Sequence, residues 1–389
     1  MEIEFSIMAQ DGAGIQPLLE QFTAETGIRV RLRLLAWDSA WSMFVRSALY
    51  GDGPDLSEVG TTWVSDLVGM NALRPYSAAE IAAVGRAGAF FPAAWKTTGL
   101  SDRTWAIPWM AGARLIFYRP RLLEQSGVDP SLLERGGLDH RTFLELARRL
   151  RDAGVRVPWT APTGYTHTTL LNIASWVWSA GGSFVREDGR ATRFTEPEAM
   201  DGMESYFALN CCLAPEVRGL NALEPDNYFL RHADTAMMIS GPWVFEPARR
   251  ASEPIAAALP PGASFVGGSN LVIWKHSQQP EAAARLVRFL TQHPAQVRYG
   301  QVIGLLPARQ ESLEAEPYTS DPLWSMAVRG LRTGRTFPTI RLWGLLEDRL
   351  TAGFSAVWND VLAGAHPRDA LLKHLLPLAA RLDALLQKE

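Results

Sequence analysis

Tryptophan is the residue type whose placement in this chain points to chemistry, because there are fourteen tryptophans and only eight tyrosines. Many lie beside small, polar or charged residues, largely at the ends of apolar runs: Trp37, Trp41, Trp63, Trp109, Trp176, Trp178, Trp243 and Trp343. A tryptophan in such a position offers a flat apolar face together with a donor N–H. Faces of this kind suit the C–H surface of a sugar ring, so the pattern indicates a wet cleft for a hydroxyl-rich ring.

The other tryptophans are explained by packing. Six of them are interpreted as core or surface packing residues: Trp95, Trp105, Trp159, Trp274, Trp324 and Trp358. Trp41 lies one helical turn after Trp37, which allows it to pack inward instead of facing a ligand. Trp63, Trp243 and Trp343 are therefore the preferred candidates for ligand contact.

Carboxylates near the aromatic positions leave hydrolysis open as an alternative. Glycoside hydrolysis needs two carboxyl groups, one of them with a raised pKa. The candidates near strand ends are Asp11, Asp38, Glu58, Asp66 and Glu246. Their spacing singles out no pair, and Asp38 and Asp66 equally suit the first turn of a helix. The seven histidines form no ligand pair and no nucleotide, zinc or calcium motif is present in the sequence, so neither a metal nor another cofactor is expected.

Length, charge and cysteine content bound the class of protein. A chain of 389 residues predicts two domains, and a net charge of −3 without runs of like charge argues against nucleic acid as a partner. The only cysteines, Cys211 and Cys212, are adjacent and are interpreted as reduced thiols, with a strained disulfide as the alternative. No apolar run is long enough to span a membrane. The chain opens on a strand pattern, so it is either cytoplasmic or follows a removed leader.

The first part of the chain alternates strands and helices. Strands are predicted over residues 2–8, 28–35 and 56–60, and helices over 15–26, 39–50 and 63–71. This alternation indicates parallel βαβ units, in which ligands bind beyond the carboxyl ends of the strands. The residues at those ends are Asp11, Trp37, Thr61, Thr62 and Trp63. The Asp11–Gly14 turn is not a dinucleotide site, because Pro17 stands where the fingerprint requires a small residue.

From about residue 111 helical patterns dominate. Helices are predicted over 120–125, 141–153, 170–180, 197–209 and 280–292, with strands over 235–239 and 264–274 and a helical end of the chain. This order indicates a chain that passes between two lobes more than once.

Several blocks together resemble the extracellular solute-binding proteins of sugar ABC transporters, the group typified by maltose-binding protein. The blocks are TADTAMMISGPWVF around Trp243, GDGPDLSEVGTTWVSDLVGMNALRPY around Trp63, RTWAIPWMAGARLIFYRPRLLEQSGVDP, and PEAAARLVRFLTQHPAQVRYGQVIGLLPARQESL. In that family a tryptophan at the position of Trp243 stacks on a sugar ring. Relatives carry an acidic residue where this chain has Gly112, whereas Arg114 matches a recurrent arginine. Residues 338–343 resemble the block that supplies another stacking aromatic residue, here Trp343.

The resemblance implies an α/β, two-lobed periplasmic-binding-protein fold of type II, with a mixed or parallel sheet flanked by helices in each lobe. The expected lobes are residues 1–110 with 266–310, and residues 111–265 with 311–389. A sugar is expected between the lobes, which close on it. The expected ligand-binding residues are Gln10, Asp11, Trp37, Thr61, Thr62, Trp63, Trp109, Arg114, Tyr165, Trp176, Gly241, Trp243, Gly268, Ser269, Asn270, Arg309 and Trp343.

The resemblance also implies partners and a location. The expected partners are a sugar, with an oligosaccharide as the leading expectation, and the membrane permease of an ABC importer; the chain itself is expected to be monomeric and not an enzyme. The expected location is extracytoplasmic, in the periplasm or on a lipoprotein anchor. Two alternatives stay open: a glycosidase, and a binder of a non-sugar solute such as a polyamine or a phosphate ester.

Overall fold

The computed structural model describes residues 1–9 and 11–387, apart from the side chain of Asp38. The strands are β1 Glu2–Met8, β2 Arg29–Leu35, β3 Leu56–Gly60, β4 Gly99–Leu100, β5 Arg103–Thr104, β6 Ile107–Ala113, β7 Leu115–Tyr118, β8 Val157–Thr160, β9 Thr235–Ser240, β10 Ala256–Ala258, β11 Val266–Ile273 and β12 Leu306–Pro307.

The helices alternate with these strands in the first part of the chain and dominate after it. They are α1 Gln16–Thr26, α2 Trp37–Tyr50, α3 Val64–Gly69, α4 Ala78–Ala83, α5 Pro92–Lys96, α6 Pro120–Gln125, α7 Ser131–Glu134, α8 His140–Asp152, α9 Thr168–Ser179, α10 Pro197–Phe207, α11 Glu224–Arg231, α12 Phe245–Arg249, α13 Pro280–Leu290, α14 His293–Ile303, α15 Pro322–Thr333, α16 Trp343–Leu362 and α17 Pro367–Leu386.

The chain divides into two compact units, each with its own sheet. The first unit contains residues 1–112, 266–321 and 336–344, and the second contains residues 113–265, 322–335 and 345–389. The chain leaves the first unit after residue 112 and returns to it at residue 266, next to the expected boundaries after residue 110 and at residue 266. Residues 311–321 and 336–344 belong to the first unit, which corrects the expectation that everything after 310 lies in the second lobe.

The first unit is built on a six-stranded mixed sheet in the order β12-β6-β11-β3-β1-β2. Strand β1 pairs in parallel with β2 and β3, whereas β11 runs antiparallel to β3. Both faces of β1 are buried, so its polar positions need partners: Ser6 Oγ lies 2.7 Å from Ser57 Oγ, and Glu4 pairs with Arg31 and Arg33. Gly27 ends α1 in the left-handed conformation at φ 73°, as the sequence pattern predicts.

The second unit has a four-stranded mixed sheet in the order β10-β7-β9-β8. Strand β9 runs antiparallel to β7 and parallel to β8. Aromatic rings from helices and strands fill its core, with Trp176 of α9 in edge-to-face contact with Phe143 and Tyr206. The α/β class and the two units with mixed sheets flanked by helices are thus confirmed. Among the described residues, no helix combines the length and the apolar character needed to cross a membrane.

Candidate functional site

In the first unit a row of aromatic rings runs from the core to the surface. Trp274 is fully buried, and Phe44 lies 5.9 Å from it and 5.9 Å from Trp63 between ring centroids. Trp63 in turn contacts Trp37 at 5.8 Å and Trp41 at 5.7 Å. Trp37 is 48% exposed. Trp37, Trp41 and Trp63 therefore form a tryptophan surface that the core supports from behind.

The backbone fixes the loop that carries Trp63. The loop follows β3, and the amide of Thr61 donates to the carbonyl of Gly268 in the neighbouring strand at 3.2 Å. Gly60 is in contact with the Trp63 ring, because a Cβ at that position would lie 3.2 Å from Trp63 Cδ2. Thr61 is buried and Thr62 is half-buried. The Thr61 amide thus anchors the loop to β11, and the ring of Trp63 is held by Gly60 of β3 and the aromatic residues of α2.

Asp66 lies in α3, one turn after Trp63, and one of its carboxylate oxygens is an unused hydrogen-bond acceptor. Its Oδ1 accepts a hydrogen bond from the amide of Gly344 at 3.3 Å. Its Oδ2 is shielded from solvent and has no hydrogen-bond partner within the described part of the chain. Burial raises the pKa of Asp66 to about 6. A buried acceptor without a donor costs free energy, so a hydroxyl donating to this carboxylate would be stabilising.

Trp343 begins α16 beside Gly344 and belongs to the first unit. The expectation that it comes from the second lobe is therefore wrong. Its ring is stacked on Phe337 with a centroid distance of 4.4 Å and is only 1% exposed, so it offers no open face in this conformation. Contact between Trp343 and a ligand stays a prediction.

In the second unit Trp243 is held at the end of β9 by a buried carboxylate. Asp226 of α11 accepts hydrogen bonds through Oδ2 from Trp243 Nε1 at 2.9 Å and from Ser240 Oγ at 2.7 Å. Gly241 makes room for the ring, because a Cβ there would lie 2.1 Å from Trp243 Cζ3. The indole ring is half-buried and has a fixed orientation.

Arg114 lies against the same ring. Its Cζ is 4.9 Å from the Trp243 ring centroid, a cation–π distance, and its amide donates to the carbonyl of Phe265 at 2.9 Å. Throughout residues 1–9 and 11–387, no side chain or carbonyl accepts a hydrogen bond from its guanidinium. Burial lowers the pKa of Arg114 to about 10, opposed by the charge of Asp226. A buried cation with its donors unused is available to bind a ligand.

Asp226 is the functional residue that the sequence did not reveal. Its carboxylate is buried, which raises its pKa, whereas the donors Trp243 and Ser240 and the charge of Arg114 lower it. The sequence pattern indicates only an acidic residue in the first turn of a helix. Asp226 lies seventeen residues before Trp243, from whose indole N–H it accepts a hydrogen bond. Only the packing of α11 against β9 brings the two together.

Three expected residues are exposed or lie outside the described part of the chain. Tyr165 is 62% exposed in its loop in the second unit. Asp11 is exposed, and its Oδ1 accepts from the amide of Ala13 at 2.9 Å, which caps the turn before α1. Gln10 lies outside the described residues.

Two of the expected ligand-binding tryptophans are core residues. Trp109 in β6 is 0% exposed and is stacked on Tyr299 with a centroid distance of 4.7 Å. Trp176 is also 0% exposed, between Phe143 and Tyr206. The expectation that these rings line a ligand cleft is corrected, because all their faces are covered by the interior of their own units. Both tryptophans have a small residue or a proline as a neighbour in the sequence, but this pattern does not show whether a residue lies in the middle of a strand or helix or at its end.

Two of the polar residues expected from β11 and the segment after β12, Asn270 and Arg309, have structural partners. Ser269 and Asn270 are buried inside the sheet, where Asn270 Nδ2 donates to Thr97 Oγ1 at 2.9 Å. Arg309 donates to the carbonyl of Val84 at 3.0 Å and to Glu311 Oε1 at 2.6 Å. These contacts occupy Asn270 and Arg309, whereas the buried Oγ of Ser269 has no hydrogen-bond partner in the described part of the chain. Ligand contact by the three side chains stays a prediction. Gly268 has a positioning role instead, because its carbonyl accepts from Thr61.

Among the candidate carboxylates, Glu58 and Glu246 each have a partner of their own, and the side chain of Asp38 lies outside the described part of the chain. Glu58 is 3% exposed, and its Oε2 accepts from the amide of Met8 at 2.8 Å. Burial raises its pKa to about 7. Glu246 is exposed and pairs with Arg249. In the described residues no group of three or more histidine, cysteine, aspartate or glutamate side chains could hold a metal ion.

The chain also matches a known sequence family. Residues 6–297 match the family of bacterial extracellular solute-binding proteins, which covers most of the chain. The chain therefore belongs to this family.

Individual relatives are distant but cover most of the length. A Brucella abortus protein described as a binding protein is 22% identical over 396 residues, which span 98% of this chain and 91% of the relative. A Deinococcus radiodurans protein named "Probable ABC transporter-binding protein" is 26% identical over 255 residues, or 59% of each chain.

Solved structures share the fold along the whole chain. The ABC transporter solute-binding protein of Thermotoga lettingae, bound with α-D-tagatose, has a TM-score of 0.83 at 21% identity and 99% coverage of both chains. The sugar-binding protein MalE of Xanthomonas citri has a TM-score of 0.83 at 22% identity, with 100% of this chain and 98% of that chain covered. UgpB of Mycobacterium tuberculosis, in complex with glycerophosphocholine, has a TM-score of 0.80 at 18% identity, with coverage of 100% and 99%. Identities this low establish a common fold rather than a common ligand.

Proposed function

We propose that this protein binds a neutral sugar, with an oligosaccharide as the leading candidate, and delivers it to the permease of an ABC importer. The observation that carries the proposal is repeated in both units. In each, a partly exposed tryptophan follows a strand end and is accompanied by a charged side chain with unused hydrogen-bonding capacity: the half-buried Asp66 one turn after Trp63, and the buried Arg114 against Trp243. Sugars need this combination, because their C–H faces are apolar and their rims are hydroxyls.

The charges around Trp243 favour a neutral ligand over an anion. The cationic Arg114 is accompanied by Asp226, which holds the opposite charge when it is ionised. Burial raises the pKa of Asp226 overall, whereas the hydrogen bonds from Trp243 and Ser240 and the charge of Arg114 favour its ionised form. A phosphate or a carboxylate would gain from Arg114 but would be repelled by Asp226, whereas a hydroxyl can accept from the arginine without repulsion.

The sequence-based expectation that one ligand contacts both units is part of this proposal. Tyr165, Asp11 and the tryptophan surface then contribute further contacts, and the lobes close as the ligand binds. The chain performs no chemistry on the sugar. The extracytoplasmic location belongs to the same proposal and is supported by the family to which the chain belongs. A periplasmic or lipid-anchored state and the monomeric state are further parts of the proposal.

A calorimetric and thermal-shift screen of the purified protein tests the ligand class. The panel contains monosaccharides, linear and cyclic oligosaccharides, polyamines, inorganic phosphate and glycerophosphodiesters. We expect saturable binding of a sugar that raises the melting temperature, and no response to polyamines. Binding of a phosphodiester or a polyamine in place of every sugar would overturn the proposal and favour the non-sugar alternative.

Incubation with the sugar that binds tests the enzyme alternative. Chromatography of an oligosaccharide incubated with the protein should recover it unchanged over many hours. Release of new reducing ends that is abolished in Asp66→Asn or Glu58→Gln would show a glycosidase instead, because those carboxyls have raised pKa values.

A further inference from the structure

Two thiols outside the proposed sugar contacts lie within reach of each other. Cys211 and Cys212 end a 3-10 turn, Ala208–Cys212, and their Sγ atoms are 3.6 Å apart. Cys211 is half-exposed and Cys212 is 1% exposed. The turn packs against α8, α10 and β8 in the second unit. The Cys211 thiol is therefore accessible to a small reagent, whereas the Cys212 thiol is buried next to it.

The surroundings of Cys211 favour its thiolate. The hydrogen bond from the Cys212 thiol, followed by that from Arg148 and the charge of Arg151, lowers the pKa of Cys211 to about 6. Both arginines belong to α8, and they are the charged residues that act on Cys211 in the part of the chain that the structure describes. The hydrogen bond that Cys212 donates to Cys211, followed by burial and the charge of the Cys211 thiolate, raises the pKa of Cys212. A thiolate beside arginines is the reactive form of cysteine.

We propose that Cys211 and Cys212 form a peroxide-sensitive dithiol, a modification site that converts reversibly into a disulfide between neighbouring residues. The Cys211 thiolate attacks the terminal oxygen of a hydroperoxide and breaks the O–O bond, which gives a sulfenic acid. The leaving alkoxide or, from hydrogen peroxide, hydroxide takes a proton from the solvent and departs as an alcohol or water. The Cys212 sulfur then attacks the Cys211 sulfur, and the Cys212 proton leaves with the sulfenic hydroxyl as water. Two sulfurs lose two electrons in total, and the peroxide gains them.

Geometry predicts that this disulfide is easily reduced. Adjacent Cα atoms are about 3.8 Å apart, whereas ordinary disulfides join Cα atoms about 4.4–6.8 Å apart. The bond therefore forms only with strain, which favours reduction by small thiols. Oxidation must also distort the 3-10 turn, so we expect its effect to reach α8, against which the turn packs.

Mass spectrometry of the full-length reduced protein tests the proposal. After brief treatment with hydrogen peroxide, we expect a mass lower by two hydrogen atoms, loss of both thiols to alkylation, and full recovery with dithiothreitol. Retention of both thiols, irreversible addition of oxygen, or a disulfide that links two chains would overturn it. This measurement needs no variant and so does not depend on the folding of a mutant.

Four variants test the assigned roles. Cys212→Ser keeps a hydroxyl donor but stops the reaction at the sulfenic acid, which dimedone should trap on Cys211. In Cys211→Ser the remaining Cys212 should react with iodoacetamide at least about tenfold more slowly at neutral pH than Cys211 does. Arg148→Ala should slow alkylation of Cys211, whereas Arg149→Ala, on the same helix, should not. Equal rates for the two cysteines, or equal effects of the two arginine variants, would contradict the assignment.

Discussion

At the scale of single residues, the ring of Trp243 is the best-defined of the proposed ligand contacts. Its N–H is used by Asp226 and its orientation is fixed, so its free area is available for stacking. We expect Trp243→Ala to weaken sugar binding by at least about 1.5 kcal/mol, or about tenfold in Kd, because stacking and apolar burial are lost. Isothermal titration calorimetry with the sugar found by the screen measures this change.

A matched variant separates ligand contact from a general loss of packing. Trp95 is also half-buried and is stacked on Phe90 at 5.6 Å, but it belongs to none of the sites described above. Trp95→Ala should lower stability without changing Kd. An unchanged Kd for Trp243→Ala, at full folding by circular dichroism, would exclude this ring from the site.

The carboxylate of Asp66 makes sugar binding depend on pH. Burial raises its pKa to about 6, so the carboxylate is ionised above that pH and gains a proton below it. The ionised form is the stronger acceptor for a hydroxyl, so Kd should increase as the pH falls through about 6. We expect up to about tenfold weaker binding at one pH unit below the pKa, and Asp66→Asn should remove most of this dependence. If the wild type binds equally well at pH 5 and pH 8, Asp66 does not contact the ligand as a carboxylate.

At the scale of elements, Gly268 connects β11 to the loop that carries Trp63. Its φ is 134°, and a Cβ there would lie 2.2 Å from the carbonyl oxygen of Met110. We expect Gly268→Ala to cost on the order of 3 kcal/mol in the free energy of unfolding, from backbone strain and the clash. It should also weaken sugar binding, because the Gly268 carbonyl accepts from Thr61. Denaturant unfolding and calorimetry measure the two effects.

Gly27→Ala is the control for this prediction. Gly27 has a φ of 73°, but nothing lies within 4 Å of a Cβ added there. Its substitution should cost only the left-handed backbone conformation, about 1–2 kcal/mol, and leave Kd unchanged. Equal losses of stability in the two variants would show that the close approach of β6 and β11 relaxes without cost.

The buried Glu58 of β3 should make stability depend on pH. Its pKa is raised from 4.5 to about 7, so the native protein keeps a proton that the unfolded chain releases. The stabilisation is complete below pH 4.5 and is lost as the pH rises to about 7, at up to about 1.4 kcal/mol per pH unit. Glu58→Gln should remove this slope between pH 6 and pH 8 in denaturant titrations, whereas below pH 6 the raised pKa of Asp66 also contributes. A Glu58→Gln protein with the wild-type slope would show that another group is responsible.

The sequence predicts elements better than it predicts contacts. Hydrophobic alternation and glycine stops place β1, α1 and β3 almost to the residue, because these signals are local. Among the candidate site residues, Trp63 and Trp243 lie at strand ends as expected, whereas Trp109 and Trp176 are in the core. A tryptophan between small residues has the same local pattern in both settings. Asp226 was missed because its role depends on packing between α11 and β9.

At the scale of the whole molecule, the proposed function predicts that the sugar stabilises both units together. Ligand at one hundred times Kd should add about 2.7 kcal/mol to the free energy of unfolding, so the melting temperature should rise by several degrees. If one sugar contacts both units, Trp63→Ala and Trp243→Ala should each reduce this rise, although they lie in different units.

Calorimetry on the wild type and the two single variants then distinguishes a shared ligand from two separate ones. The double variant combines Trp63→Ala with Trp243→Ala. With one bridging sugar, calorimetry should find one site per chain, and each single variant should weaken that same site. With separate sites, the wild type would bind two equivalents of sugar, and each variant would remove one of them while the other kept its affinity. Because a bridging ligand draws the units together, small-angle scattering should also report a smaller radius of gyration on binding to the wild type and no change for the double variant at the same sugar concentration. An unchanged radius for the saturated wild type would contradict closure.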